Sequence, residues 1–268
     1  MRYKLIAADM DGTLLTPDGR ISERTIESIK KAEENGVIFT LSTGRPLQGV
    51  KRYIDQLNID CYLITYNGAV IVHSKTDQIL YNEVMDNIEA QKVYNLAVKK
   101  GTMFIVWSQN RLYASEFSEK TKFYEEITKT KAEPIIDFNQ LIAQGITKIL
   151  WYDEPDVLAG WIDEIKKEKL MSTTFTKSRA YFLEFFSNRT SKAVAMEKLG
   201  EYYNIDKKRM VAIGDQTNDL PMIEYAGLGV AMGNAVDSVK EKADYITETN
   251  ANDGVAEVIE KFILNNTD

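Results

Sequence analysis

The chain has 268 residues, 44% of them hydrophobic and 27% charged, with a formal net charge of -7. That length leaves room for about two domains and for a core that needs neither disulfides nor a structural metal. The acidic balance argues against broad nucleic-acid binding, which needs a basic, phosphate-neutralising face, yet a local cation could still serve a small anionic substrate. Cys61 is the only cysteine, so an internal disulfide is impossible, and His73 is the only histidine, so a multi-histidine metal site is excluded. No apolar run approaches the roughly 18–20 residues of a membrane span. The opening Met1-Arg2 leads into a short run without a signal-peptide core. A soluble, cytoplasmic protein is expected.

Tyr3–Ala8 is a short apolar run that predicts a buried strand. Ser22 can cap a helix running to about Asn35, with Gly36 as its stop. Val37–Ser42 reads as a second strand, and Pro46 suits the first turn of the next helix. Cys61–Thr65 reads as a third strand, after which Asn67-Gly68 signals a tight hairpin. Strand-helix-strand order predicts a parallel sheet with right-handed crossovers.

The pattern then changes. Residues 84–187 hold all three tryptophans and two expected hairpins, Met103–Trp107 with Arg111–Ser115 and Leu170–Lys177 with Tyr181–Phe186. Helices are expected near 86–99, 117–130 and 155–168. From Ser191 the first pattern returns: a helix to Tyr203, a strand Arg209–Ile213, short strands Leu228–Ala231 and Tyr245–Thr247, and a helix Asn252–Leu264. The expected architecture is α/β, a doubly wound parallel-sheet core formed by 1–83 and 188–268, interrupted by an α+β domain over 84–187. No solenoid repeat or low-complexity tract is present.

Four short stretches carry chemistry. Asp9-Met10-Asp11-Gly12-Thr13 follows the first strand, where open parallel sheets bind ligands. Two carboxylates there repel unless a cation offsets them. An isolated Asp-x-Asp-Gly also makes surface turns. It can open a calcium loop too, but that loop needs Gly and Glu where this chain has Leu14 and Arg20. Gly214-Asp215-Gln216-Thr217-Asn218-Asp219 follows a second strand, and its acids could face the first pair in a hard-oxygen site suited to Mg²⁺. Asn218 or Asp219 could equally cap the helix beginning near Leu220. Ser42-Thr43-Gly44-Arg45-Pro46 opens a helix, with the Thr43 hydroxyl and N–H and further amides available to an anion. Lys192 starts the helix that follows the inserted domain; most lysines so placed are only solvated.

Taken in order, these stretches resemble the haloacid dehalogenase superfamily, whose motifs are Asp-x-Asp-x-Thr, a Thr or Ser after a strand, a Lys, and Gly-Asp-x-x-x-Asp. The large insertion, Asn67-Gly68-Ala69 and Gly229-Val230-Ala231-Met232-Gly233-Asn234-Ala235 resemble its capped Cof-type, sugar-phosphatase-like subclass. Two departures stand out: Ala193 where the subclass usually has glycine, and Gln216 in place of a small residue.

The resemblance implies a phosphatase acting on small phosphorylated metabolites such as sugar phosphates. Asp9 would be the nucleophile and Asp11 the acid and base. Met10, Thr43, Gly44, Lys192 and Asn218 would hold phosphate. Mg²⁺ would bind Asp9, the Asp11 carbonyl and Asp215, with Asp219 in support. The inserted domain would act as a cap, with Arg111, Lys177 and Arg179 at its hairpin ends able to meet a polar substrate. Trp107, Trp151 and Trp161 read as cap core. A phosphomutase and a non-catalytic phosphometabolite sensor are the alternatives. The expected partner is a small metabolite, with neither nucleic acid nor membrane, and no oligomeric state is implied.

Overall fold

The computed structural model of the protein describes residues 2–265. It divides into two compact units, one formed by the chain up to Tyr81 together with the chain from Ser191, the other by Asn82–Thr190.

The first unit begins with β1 (Leu5–Ala8), every residue of which is buried. Helix α1 (Glu23–Glu34) starts where the Ser22 hydroxyl accepts the Thr25 N–H, and it ends at Asn35 before Gly36, whose φ of 73° an L side chain would resist. Its buried positions Thr25, Ser28, Ile29 and Ala32 form one helical stripe. Strand β2 (Ile38–Leu41) and helix α2 (Leu47–Leu57) follow, the latter entered through Pro46. Strand β3 (Tyr62–Thr65) pairs antiparallel with β4 (Val70–His73) around a four-residue loop, and β5 (Ile79–Asn82) completes a three-stranded sheet. The expected two-residue hairpin is therefore a longer loop. Strand β3 also touches the parallel sheet, through one parallel bridge between Ser42 and Ile64.

The inserted unit runs through α3 (Asn87–Lys100), β6 (Met103–Ser108), β7 (Arg111–Ala114), α4 (Glu119–Thr128), β8 (Ala132–Pro134), α5 (Phe138–Gln144), β9 (Ile146–Tyr152), α6 (Pro155–Lys167), β10 (Thr173–Arg179) and β11 (Phe182–Ser187). Its sheet has the order β10-β11-β9-β6-β7-β8, antiparallel except for β7 with β8. The β6–β7 turn has Gln109 and Asn110 at φ of 49° and 58°, as a tight hairpin of this twist requires. One face packs Val93, Leu96, Phe138, Leu158 and Ile165 against Trp151, Leu183 and Phe185. Trp107 and Trp151 are fully buried, and Trp161 packs edge-on to Trp151, so all three tryptophans belong to the interior. Strand β9, at the centre of the sheet, and the short α5 and β8 are additions to the elements expected from the sequence.

The chain returns through α7 (Lys192–Tyr203), β12 (Met210–Gly214), α8 (Leu220–Tyr225), β13 (Leu228–Ala231), α9 (Asp237–Lys240), β14 (Tyr245–Ile246) and α10 (Gly254–Ile259), which continues as a π-helical turn to Leu264. These strands complete an all-parallel sheet of order β14-β13-β12-β1-β2. After β1 the chain moves to β2 on one side, and it returns from α7 to β12 on the other. That reversal makes the carboxyl end of β1 the place where this class of sheet binds its ligands. Among the described residues, no helix is long and apolar enough to cross a membrane.

Candidate active site

The register of the sheet builds the site. Ala8 pairs with Leu41 on one neighbour and with Ile213 on the other. The next residues along these strands are Asp9, Ser42 and Gly214, so three of the four motifs emerge at one level on adjacent strand ends. Asp9 is held there by its N–H, which donates to the Ile213 carbonyl at 2.9 Å.

The fourth motif enters from helix α7. Ser191 caps that helix by accepting the Ala193 N–H, and Lys192 as its first residue turns a fully buried side chain inward. Its ammonium donates to Asp9 Oδ1 at 2.6 Å, Asp219 Oδ1 at 2.5 Å and the Ser42 carbonyl at 2.7 Å. Three donors meet three acceptors, which is full satisfaction for a lysine. Burial alone would pull this lysine down, but Asp9 and Asp219 overcome it and hold the ammonium above the usual range.

Asp219 begins helix α8, yet its carboxylate does not cap that helix. Oδ2 turns back to accept the Asp215 and Gln216 N–H groups at 2.9 and 3.0 Å. The acid thus shapes the loop after β12 and anchors Lys192. Asp215 in turn accepts the Thr13 hydroxyl at 2.9 Å and the Gln216 side-chain amide at 3.1 Å. Gln216, a departure from the resembled pattern, therefore orients an acid of the site. Gly12 at φ 87° lies against Asp215, and a Cβ there would stand 2.4 Å from Oδ2. Only glycine lets the loop after β1 approach the loop after β12 this closely.

Asp9, Asp215 and Asp219 present carboxylate oxygens within 4.8 Å of one another, and all three residues are buried. With one lysine among them, the ionised cluster carries a surplus of two negative charges. Burial first, and then Asp219 and Asp215, push Asp9 up to about 7 against the pull of Lys192. Burial also raises Asp215. Hard oxygen donors with unbalanced charge fit a small divalent cation such as Mg²⁺.

The structure modifies two sequence expectations. The Thr43 N–H is already donated to the Ile64 carbonyl at 2.9 Å, so this turn offers an anion the Thr43 hydroxyl and the amides that follow. Ser42–Ile64 bridging, invisible in the local sequence, accounts for the difference. Second, the Asp11 side chain does not join the acidic cluster. It is 60% exposed and sits in the fork of Arg45, which donates from Nε at 2.8 Å and from Nη2 at 2.5 Å.

Four contributors lacked an assigned role in the sequence reading. Arg45 holds Asp11, Gln216 holds Asp215, and Asn67 accepts the Asn218 amide at 3.1 Å. Asn234 donates to the Gly12 carbonyl at 2.8 Å and accepts the Asn250 N–H, tethering the loop after β1. The turn signal at Asn67-Gly68 is a local clue and Gln216 holds its immediate neighbour, whereas Arg45 and Asn234 act through contacts distant in sequence. In the inserted unit, Arg111 forms a bidentate pair with Glu133, so its guanidinium is engaged on the surface. Lys177 and Arg179 flank a bulge in β10. The Cys61 thiol is buried and pushed up to about 12, chiefly by that burial, which makes it unreactive.

The match to one family model covers residues 6–259, and that model describes haloacid dehalogenase-like hydrolases. The chain belongs to this family. A Bacillus subtilis relative, 5-amino-6-(5-phospho-D-ribitylamino)uracil phosphatase YcsE, is 34% identical, with 97% of this chain and 96% of the relative covered. A crystal structure of a haloacid dehalogenase-like hydrolase from Bacteroides thetaiotaomicron matches with a TM-score of 0.85 and 31% identity, covering 96% of this chain and 98% of that one. A Thermotoga maritima structure matches with a TM-score of 0.86 and 28% identity over 96% and 97% of the two chains. The family fold therefore extends through the inserted unit as well as the parallel sheet.

Proposed function

We propose that this protein is a Mg²⁺-dependent phosphatase of small phosphorylated metabolites, working through an aspartyl-phosphate on Asp9. The observation that carries the proposal is the placement of Asp9: a buried carboxylate at the end of the central strand, pinned through one oxygen by Lys192, beside two further acids. A phosphate dianion meets strong repulsion there. Unit charges about 4 Å apart cost about 4 kcal/mol at an effective dielectric of 20, and several such terms accumulate. A bound Mg²⁺ would remove that repulsion and polarise a phosphoryl oxygen. Asp9, the Asp11 carbonyl and Asp215 would hold it, with Asp219 supporting from behind.

Lys192 fixes the Asp9 carboxylate so that its other oxygen attacks phosphorus as the ester bond breaks. The Thr43 hydroxyl, the Gly44 and Met10 N–H groups and the Asn218 amide hold the phosphoryl oxygens, and Lys192, its three donors engaged, adds positive charge beside them. Asp11, after turning from Arg45, gives a proton to the departing alkoxide. It then takes one from the water that cleaves the aspartyl-phosphate, releasing inorganic phosphate and restoring Asp9. Residues 84–187 would act as the cap that recognises the leaving group. Relatives at 34%, 30% and 30% identity are named as phosphatases of 5-amino-6-(5-phospho-D-ribitylamino)uracil. That kinship favours a sugar or sugar-alcohol phosphate. The lone, unreactive Cys61 suits a cytoplasmic setting.

The test is phosphate release from a panel of sugar phosphates, ribityl phosphates and pyridoxal phosphate, with Mg²⁺ or EDTA, beside Asp9→Asn. Release that needs both the metal and Asp9 is expected. Release that survives Asp9→Asn in the folded protein would sink the covalent route.

A further inference from the structure

The loop between β3 and β4 is shaped unlike an ordinary hairpin turn. Tyr66, Asn67 and Gly68 occupy consecutive left-handed conformations, with φ of 51°, 57° and 100°. Glycine accepts such a φ freely and asparagine tolerates it, whereas tyrosine does so at a cost. The loop is held in this form from three sides. Tyr66 N–H donates to the Arg45 carbonyl, and Asn67 N–H donates to the Thr43 carbonyl. Gly68 lies so close to the start of α7 that a Cβ would stand 2.2 Å from the Ser191 carbonyl oxygen and 2.8 Å from the Lys192 nitrogen.

This arrangement aims the Asn67 side chain. Its carboxamide lies over Gly44, where a Cβ would meet Oδ1 at 3.0 Å and Nδ2 at 3.1 Å. Oδ1 accepts the Asn218 Nδ2–H at 3.1 Å, which leaves Nδ2 of Asn67 to act as a donor. Asn218 follows β12 and Asn67 follows β3. In the sheet, β1 and β2 lie between those two strands. The amide pair therefore bridges the carboxyl ends of the strands that carry Asp9 and Thr43.

We infer that Asn67 is a phosphate-binding residue, its carboxamide donating to a phosphoryl oxygen and aligning Asn218 to do the same. Resting on the phosphatase reading, the inference adds to it a binding residue outside the four motifs. Two neutral amides suit a tetrahedral anion above an acidic floor, because they donate without competing for the cation.

The experiment compares wild type, Asn67→Gly and Asn67→Asp. Glycine keeps the left-handed φ and removes the amide; aspartate keeps the shape and replaces the donor with an anion. Binding of inorganic phosphate is measured by calorimetry with Mg²⁺ present, Mg²⁺ binding is measured without phosphate, and KM and kcat are measured on the best substrate. Asn67→Asp should weaken phosphate at least tenfold and raise KM similarly. Asn67→Gly should weaken it about threefold to tenfold, with the Mg²⁺ affinity and melting temperature retained. Phosphate affinity and KM within twofold of wild type in both variants would reduce Asn67 to a turn residue and overturn the inference. If wild type turns over no ester, the phosphatase reading fails instead; weaker phosphate binding by Asn67→Asp would still support the anion site.

Discussion

A largely buried lysine in the inserted unit and a fully buried one in the parallel-sheet unit show how differently the two units use a charge. Lys148 on β9 of the inserted unit meets Glu184 on β11 at 3.0 Å, with both side chains 12% exposed. Its ammonium, pulled down by burial, is held above the usual range by Glu184. Cation and carboxylate balance one for one. Lys192 instead faces Asp9 and Asp219, with Asp215 beside them, and the negative charge is left in excess. A balanced buried pair completes a structure by itself. An unbalanced cluster is costly unless something else binds, which makes surplus charge, rather than buried charge, the mark of a working site.

Replacing the lysines should break this comparison most sharply. Lys192→Met leaves Asp9 and Asp219 without their cation, and should abolish phosphate release and cost about 3–5 kcal/mol of stability. Lys148→Met alone should cost a similar amount, but the paired change Lys148→Met with Glu184→Leu should be neutral or stabilising by about 1–4 kcal/mol. Denaturant unfolding beside the phosphate assay reads both. If the paired change in the inserted unit remained as damaging as the single one, charge balance would not distinguish the two sites.

The pH dependence should sharpen the contrast. Because Asp9 lies at about 7 when folded, against 3.8 for an unburied aspartate, the metal-free folded chain binds a proton that the unfolded chain has already released between those values. Proton binding favours the folded state in that window, so stability falls as pH rises through it and levels off above about 7. Asp215 is shifted in the same direction. The melting temperature of the metal-free protein should therefore drop from about pH 5 to pH 7.5. The gain on adding Mg²⁺ should grow over the same range. Asp9→Asn should flatten both trends; an unchanged slope would remove Asp9 as their source.

Smaller changes test the approach of the two acidic loops and the surface. Gly12→Ala places a methyl 2.4 Å from Asp215 Oδ2 at a φ that alanine resists. It should weaken Mg²⁺ dependence of phosphate release by at least tenfold, readable as a shift in the half-saturating metal concentration. Arg111→Ala removes an exposed pair with Glu133. Exposed pairs contribute little, so the melting temperature should stay within about 2 °C of wild type.

The parallel sheet was legible because its strands are short apolar runs punctuated by caps and glycines close in sequence, as at Ser22 and Gly36. The inserted sheet was legible only at its hairpins. Strand β9 pairs with β6 and β11, both distant along the chain, and no adjacent turn announces it. Similarly, the acidic residue types at Asp9 and Asp215 could be read from their strand-end motifs. Nothing local revealed that Ile64 would take the Thr43 N–H or that Arg45 would take the Asp11 carboxylate.

By itself, the sequence determined the reactive groups, their order and their attachment to strand ends, because period, capping and motif spacing are local properties of a chain. Only the tertiary structure decided which of those groups share one buried volume and which donors are already spent. Register across β12, β1 and β2 joins residues some two hundred positions apart, and burial then sets the charge balance among them. Both are properties of pairs and clusters, and no residue carries them alone.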